Sequence, residues 1–541
     1  MKIKFVVAQL LLFLFFTDFA TAQKDVGQLR GNFEVNARIY QPDSVIGADT
    51  VPGIFRMNSY ANLIYTRGNF TAGLRYEAYQ KPLLGYDKRY EGQGIAHRYF
   101  SWENEALGIT VGNFYEQFGN GLILRSYEDK ALGVDNSFDG VRFRLRALHG
   151  ANITALVGKQ RYFWDRGPGI VRGVNGDFYL NELLPLLSES KTIYQMGLGF
   201  VSKYQEDNDP VYKLPENVSA FSGRMSVQRG FVNVSGEYAY KINDPSADNG
   251  YIYKNGDALL INASYSQSGL GIFAGFKRID NMSYRSDRNA GLNNLNINFL
   301  PAISKVHTYS LAAMYPYATQ PNGEVGFQGE INYSIKRETL LGGKYGTKLS
   351  FNYSQVYSLK TSPVFDGTGY ESDFFGLGDE LYFRDANFKL YKKFSRDFKT
   401  TLSYFNIAYN KDVVEGVAGY GMVNANIAVL DMTYKISMRK SLRWEIQGLF
   451  SKDDKGDWAS VLLEYNIAPK WFFAVSDEYN YGNPHEEKQV HYYSVNAGYK
   501  KGASRIELGY GRQRDGILCV GGVCRRVPSS SGFYITISSS F

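Results

Sequence analysis

The sequence predicts an all-β chain: one large transmembrane antiparallel up-and-down β-barrel, closed through its last strand. Three observations predict it. Residues 531–541, SGFYITISSSF, put Phe533, Ile535, Ile537 and Phe541 on one side of an extended strand and Tyr534, Thr536, Ser538 and Ser540 on the other, because strand side chains alternate between faces. A greasy face and a hydroxylic face suit a strand with lipid outside, a wet lumen inside and both edges paired. Residues 29–40 repeat the pattern, with Leu29, Phe33, Val35 and Ile39 opposite Arg30, Asn32, Glu34, Asn36 and Arg38. Burying that charged face in a dry core would be costly, whereas a wet lumen solvates it. The third observation is an asymmetry of connections, short on one side and long on the other.

Composition agrees. Tyr 43, Phe 36 and only 15 prolines in 541 residues favour strands. The mean hydropathy is slightly negative, as alternating lipid and lumen faces require. A net charge of +7 needs no nucleic acid to explain it, and no basic tract with interleaved aromatics appears. No run of about 18 apolar residues follows the N-terminus, which excludes a helical membrane protein.

Taken in order, residues 1–22 read as a signal peptide: Lys2 and Lys4, an apolar run over 5–16, then Ala20-Thr21-Ala22 as a small-x-small cleavage site. Residues 23–541 form the barrel, which places the protein in the outer membrane of a Gram-negative bacterium as a multi-pass barrel. Tight turns follow at Gly68, Gly230, residues 395–397, 438–440, 468–470 and Gly502. Long polar segments lie at 41–54, 81–94, 116–138, 205–217, 242–255, 358–380 and 514–530. With all tight turns periplasmic, strand parity calls for two weak strands, at 171–180 (followed by a helix-like connection, 181–191) and at 292–300 (turning at 301–305). The count is then about 26 strands, give or take two. Tyr79, Trp102, Tyr115, Trp444, Trp471 and Tyr481 are expected in interfacial girdles.

The lumen face is expected to carry Arg30, Glu34, Arg38, Arg443, Glu445, Arg505 and Glu507. Cys519 and Cys524, the only cysteines, flank Gly521-Gly522 in the last outer loop and are expected to form a disulfide in an oxidising envelope. C-x4-C lacks the two-residue spacing of redox-active pairs, and no neighbouring ligand completes a metal site. Among the histidines, His485 with Glu486 and Glu487 is a solvated loop, and no H-E-x-x-H or triad motif occurs. No catalytic, cofactor or metal residue is assigned, and the chain is not read as an enzyme. Residues 116–139, EQFGNGLILRSYEDKALGVDNSFD, place an apolar patch beside Arg125, Glu128, Asp129 and Lys130. Two readings stand: a plain surface loop, or a segment folded into the lumen as a constriction, which so wide a barrel needs.

These segments resemble an uncharacterised family of outer-membrane barrel proteins from the Bacteroidota. The resemblance rests on residues 111–137, 200–209, 237–246, 314–330 and the terminal CVGGVCRRVPSSSGFYITISSSF. It implies fold and location, and no activity. It also implies O-glycosylation at Asp-Ser/Thr-apolar sites, to which Asp43-Ser44-Val45 and Asp49-Thr50-Val51 conform, at Ser44 and Thr50. The expected partners are outer-membrane lipid, the barrel assembly machinery (through the C-terminal strand) and other envelope proteins. For function the sequence leaves three readings: a pore or uptake channel for an unidentified solute, a non-conducting scaffold subunit of an outer-membrane assembly or secretion complex, and a rim or lumen hydrolase. The charged lumen face and the strand count favour the first.

Overall fold

The computed structural model describes residues 27–365 and 369–541; the expected signal peptide lies outside the described residues. A 24-stranded antiparallel sheet closes on itself when the first strand, Gln28–Gln41, pairs with both its neighbour Phe55–Arg67 and the last strand, Ser530–Ser540. The count falls within the expected range. Closure satisfies the backbone of every barrel strand without an open edge, the condition for a sheet in lipid.

The seam shows how local sequence sets the register. Val35 faces Ile537 and Ile39 faces Phe533, so the apolar faces of the two strands coincide. The chain ends by exchanging backbone hydrogen bonds between Phe541 and Gly31, both at 2.9 Å. A Cβ at Gly31 would lie 2.5 Å from the Phe541 ring, so the bare glycine lets the terminal aromatic lie across it. The outer surface is an apolar belt including Leu198, Val461, Val475, Val495 and Leu508, all exposed. At its short-turn end Trp471 packs on Tyr499 and Phe398 stacks on Trp444, as interfacial aromatics do.

The strand expected at 171–180 is present as the end of Asp165–Tyr179, and a short helix, Leu180–Leu183, follows it. Three expectations are corrected. Residues 292–300 are not a barrel strand: all of 281–322 is one connection between Leu270–Asp280 and Gly323–Ile335. Residues 358–380 are largely strand, because Thr347–Pro363 and Tyr370–Lys393 continue their pairing in a long hairpin. Outside a bilayer a paired strand no longer needs an apolar face, so this one reads as a polar loop. Tyr79 and Tyr115 are not girdle residues. Tyr79 is buried against Tyr60 and Tyr90, and Tyr115 bonds to Asp135.

Candidate functional site

The interior of the barrel is built from two connections that fold inward. Residues 115–137 follow Leu107–Phe114 and return to the wall at Phe138–Leu148. Their apolar patch, Phe118, Leu122, Ile123 and Leu124, is wholly buried against Met282, Tyr284, Ile297 and Leu300 of the second connection and against wall residues such as Val171, Val201, Val218 and Ala239. The second connection continues to the opposite wall, where Leu311, Ala312, Tyr315 and Tyr317 pack on Phe383, Phe405, Tyr409 and Trp458. Residues 281–322 therefore bridge two walls of the barrel, and 115–137 docks on one half of that bridge.

Backbone hydrogen bonds join the two connections: Arg125 N to Ile297 O at 2.8 Å and Phe299 N to Gly121 O at 2.9 Å. This explains the misleading pattern LNNLNINFL. Leu295, Ile297 and Phe299 alternate with Asn294, Asn296 and Asn298, but residues 292–295 form turns, with Leu292 and Leu295 in the left-handed region, and the backbone beyond them bonds to 121–125 and Tyr284 and accepts the Gln160 side chain. The wall yields where these segments approach. A Cβ at Gly173 would meet the Phe118 ring at 2.9 Å, and one at Gly169 would meet the Ser286 carbonyl at 1.9 Å.

The four charged residues singled out in 116–139 lie at different places. Arg125 lies over the Phe299 ring, 3.9 Å from its centroid. Asp129 accepts the Leu132 N–H in a local turn. Lys130 reaches Glu34 of the first strand at 2.9 Å. Glu128 pairs with Arg75 at 2.9 Å in a buried network that sequence reasoning missed. There Arg75 Nε is 2.7 Å from Glu77, Arg161 is 2.7 Å from Glu77 and 2.6 Å from Asp135, and Arg75 also contacts Asp135. The members come from distant strands and one internal hairpin, so no local motif announces them. Burial opposes ionisation of Asp135, but Arg161 and then Arg75 overcome it and hold the carboxyl at about 2. Burial pushes Glu128 upward against the pull of Arg75. Glu77, Glu128 and Asp135 come close enough to ligate a cation, yet two guanidiniums already occupy their oxygens.

Of the other residues singled out, Arg38 donates to Gln513 at 2.7 Å, and Arg30 donates to Gln28 at 2.8 Å. Arg443 bridges Asp431 at 3.1 Å and Glu445, while Arg505 pairs with Glu507 at 2.7 Å. Ser44 and Thr50 are exposed, and Asp43 pairs with Arg512 at 2.6 Å. His485 and Glu487 are exposed and 3.9 Å apart.

Cys519 and Cys524 face each other in the small hairpin of Gly516–Val520 and Val523–Val527 and are joined as a disulfide. The hairpin reaches inward. Gly521 O accepts from Ala302 N at 3.2 Å, Gly522 O from Thr319 N at 3.1 Å, and Cys524 O from Asn293 at 2.6 Å. It thus packs onto the bridging connection.

Free space remains beside the seam. Cavities of about 390 Å³ and 450 Å³ adjoin the first and last strands, and one of about 560 Å³ lies between Asn32, Arg75 and Arg142. The wall here is hydroxylic and amidic: Ser476 bonds Ser494 at 2.8 Å and Thr536 bonds Asn36 at 3.0 Å.

A closed barrel with an apolar belt and an interior occupied by its own connections defines a membrane-spanning β-barrel of the outer-membrane type. The chain belongs to the family described as "Family of unknown function (DUF6029)", whose model matches residues 1–541. No curated protein matches it. Among solved structures it is similar to the siderophore receptor PirA from Pseudomonas aeruginosa, at 9% identity over 96% of this chain and 82% of that one, TM-score 0.42. It is also similar to the P pilus usher PapC translocation pore, at 9% identity over 95% and 99%, TM-score 0.39. The outer membrane protein OpdK from Pseudomonas aeruginosa matches at 10% identity over 73% and 96%, TM-score 0.32.

Proposed function

We propose that the protein is an outer-membrane channel whose solutes pass along the seam side of the lumen, with residues 115–137 and 281–322 as the constriction. One observation carries this reading: the internal segments press on the apolar walls and leave neighbouring cavities along the seam, which share Arg38, Tyr40, Gln513 and Ser530 in their linings. In this reading Arg30, Glu34, Arg38, Arg505 and Glu507 line the path, and Arg443 and Glu445 stand behind the bridging connection. Apolar packing there holds the constriction in place, while the hydroxylic wall solvates what moves past it. The test is conductance of the purified chain in planar bilayers. Small stable steps are expected, and larger ones after residues 117–136 are replaced by a short Gly-Ser turn. A folded protein silent in both forms refutes the reading.

A second reading, a scaffold subunit, is favoured by the long hairpin Thr347–Pro363 and Tyr370–Lys393. Tyr370 fixes it to Asp280 at 2.6 Å and to Asn322 O at 3.0 Å, while Phe375 stays 82% exposed. An anchored arm with bare aromatics suits protein contact. Cross-linking in gently extracted membranes tests it; recovery of free monomer alone refutes it.

A further inference from the structure

The cavity of about 450 Å³ beneath the disulfide hairpin contains an uneven charge. Arg38, Lys130 and Arg525 line it against one carboxylate, Glu34. Lys130 neutralises Glu34 at 2.9 Å. Among the described residues, neither Arg38 nor Arg525 has a carboxylate within ion-pair distance. Arg38 spends one N–H on Gln513 at 2.7 Å. Arg525 donates Nε to Ala131 O at 3.0 Å, makes a long bond to Leu84 O at 3.4 Å and lies over the Tyr86 ring at 4.3 Å. These contacts hold both guanidiniums in place and leave donors on each toward the cavity. Burial, helped by the like charge of Arg38, brings the Arg525 guanidinium down from its ordinary value against the opposing pull of Tyr86, Tyr40 and Asp129. Two cations with no ion-pair partner beside one partly buried space repel each other, and an anion between them relieves that repulsion.

We propose that this cavity binds a small oxyanion, a carboxylate- or phosphate-bearing solute of two negative charges, between Arg38 and Arg525. Guanidinium forks match such groups bidentately. Tyr40, whose hydroxyl accepts the Leu84 N–H at 3.1 Å, keeps its own proton for the ligand. The barrel wall separates the cavity from lipid, so the anion arrives as a free solute. Arg525 follows Cys524, so the disulfide hairpin sets its position.

The inference rests on the channel reading for its physiological sense, but its test does not. Calorimetric titration of the detergent-solubilised full chain with inorganic phosphate, and separately with succinate, is expected to show binding. R38Q and R525Q should each weaken it at least tenfold and the double variant abolish it, with R439Q, in a distant exposed turn, unchanged. R38K and R525K, which keep the charge without the fork, should bind with intermediate strength and guard against misfolding as the cause. The proposal falls if neither anion binds the wild type, or if the folded double variant binds as well as wild type. Bilayer recordings separate the two readings. Anion binding without conductance refutes the channel alone, and conductance without anion binding refutes the site alone.

Discussion

At the scale of single residues, Asp135 decides how firmly the internal hairpin is held. Its carboxylate meets Arg75 and Arg161, both nearly inaccessible to water, with Glu77, Glu128 and the Tyr115 hydroxyl around them. Removing one member of a buried charge network leaves the others unpaired, at about 3–5 kcal/mol. D135N is therefore expected to loosen residues 115–137 without unfolding the barrel, read as faster amide hydrogen exchange confined to that segment. The pH dependence has a definite sign. The folded-state carboxyl sits at about 2 against an ordinary 3.8. A depressed acid contributes stability above its unfolded pKa and loses it as pH falls toward the folded one. Exchange in 115–137, corrected for intrinsic rate, should not rise between pH 7 and about 4, where protonation of the raised Glu128 works in favour of docking, and should rise steeply toward pH 2. In D135N the segment should already be open at pH 7. A wild-type rise centred near pH 5 would show that Asp135 does not control docking.

At the scale of the strand, alternation decides what tolerates charge. Val495 is exposed on the belt, beside Val475 on the neighbouring strand, while its chain neighbour Asn496 accepts the Tyr534 hydroxyl inside. V495R is expected to destabilise by about 2–4 kcal/mol, as a cation on the lipid face does, and N496R by far less. Reversible urea unfolding in lipid vesicles measures both, and equal costs would mean the faces are misassigned. The same alternation explains what the sequence made legible. Strands with unlike faces, such as Gln28–Gln41 and Lys440–Phe450, were readable because lipid and lumen impose opposite chemistry on successive residues. Residues 292–300 imitate that pattern although 292–295 are turns, because their apolar residues pack inward at alternate positions, and periodicity does not tell which partner packs them. The long hairpin lacks the pattern for the converse reason: beyond the bilayer nothing forces alternation. The Arg75–Glu77–Asp135–Arg161 network had no local pattern at all, since its members meet only after the barrel closes.

At the scale of the molecule, the two internal connections are unequal. Residues 281–322 hold two separate packing sites, one shared with 115–137 and one on the far wall with Phe383, Phe405 and Trp458. Residues 115–137 share the first, exchange backbone hydrogen bonds with Ile297 and Phe299, and are tied to the wall by the Asp135 network. Coupled segments do not contribute additively. Replacing 117–136 by a short turn should leave the bridging connection seated on the far wall and open the lumen only in part. Replacing 283–320 should remove one side of the surface on which Leu122, Ile123 and Leu124 are buried, so 115–137 is held only by the wall and the Asp135 network, loosens, and the lumen opens much further. The double replacement should then add little. Single-channel conductance of the three variants, each checked for a folded barrel by heat-modifiable migration, is expected to rank wild type lowest, then the 117–136 replacement, with the 283–320 and double replacements highest and nearly equal. If the two single replacements conduct alike and the double conducts as their sum, the connections act independently and the bridging role of 281–322 is wrong.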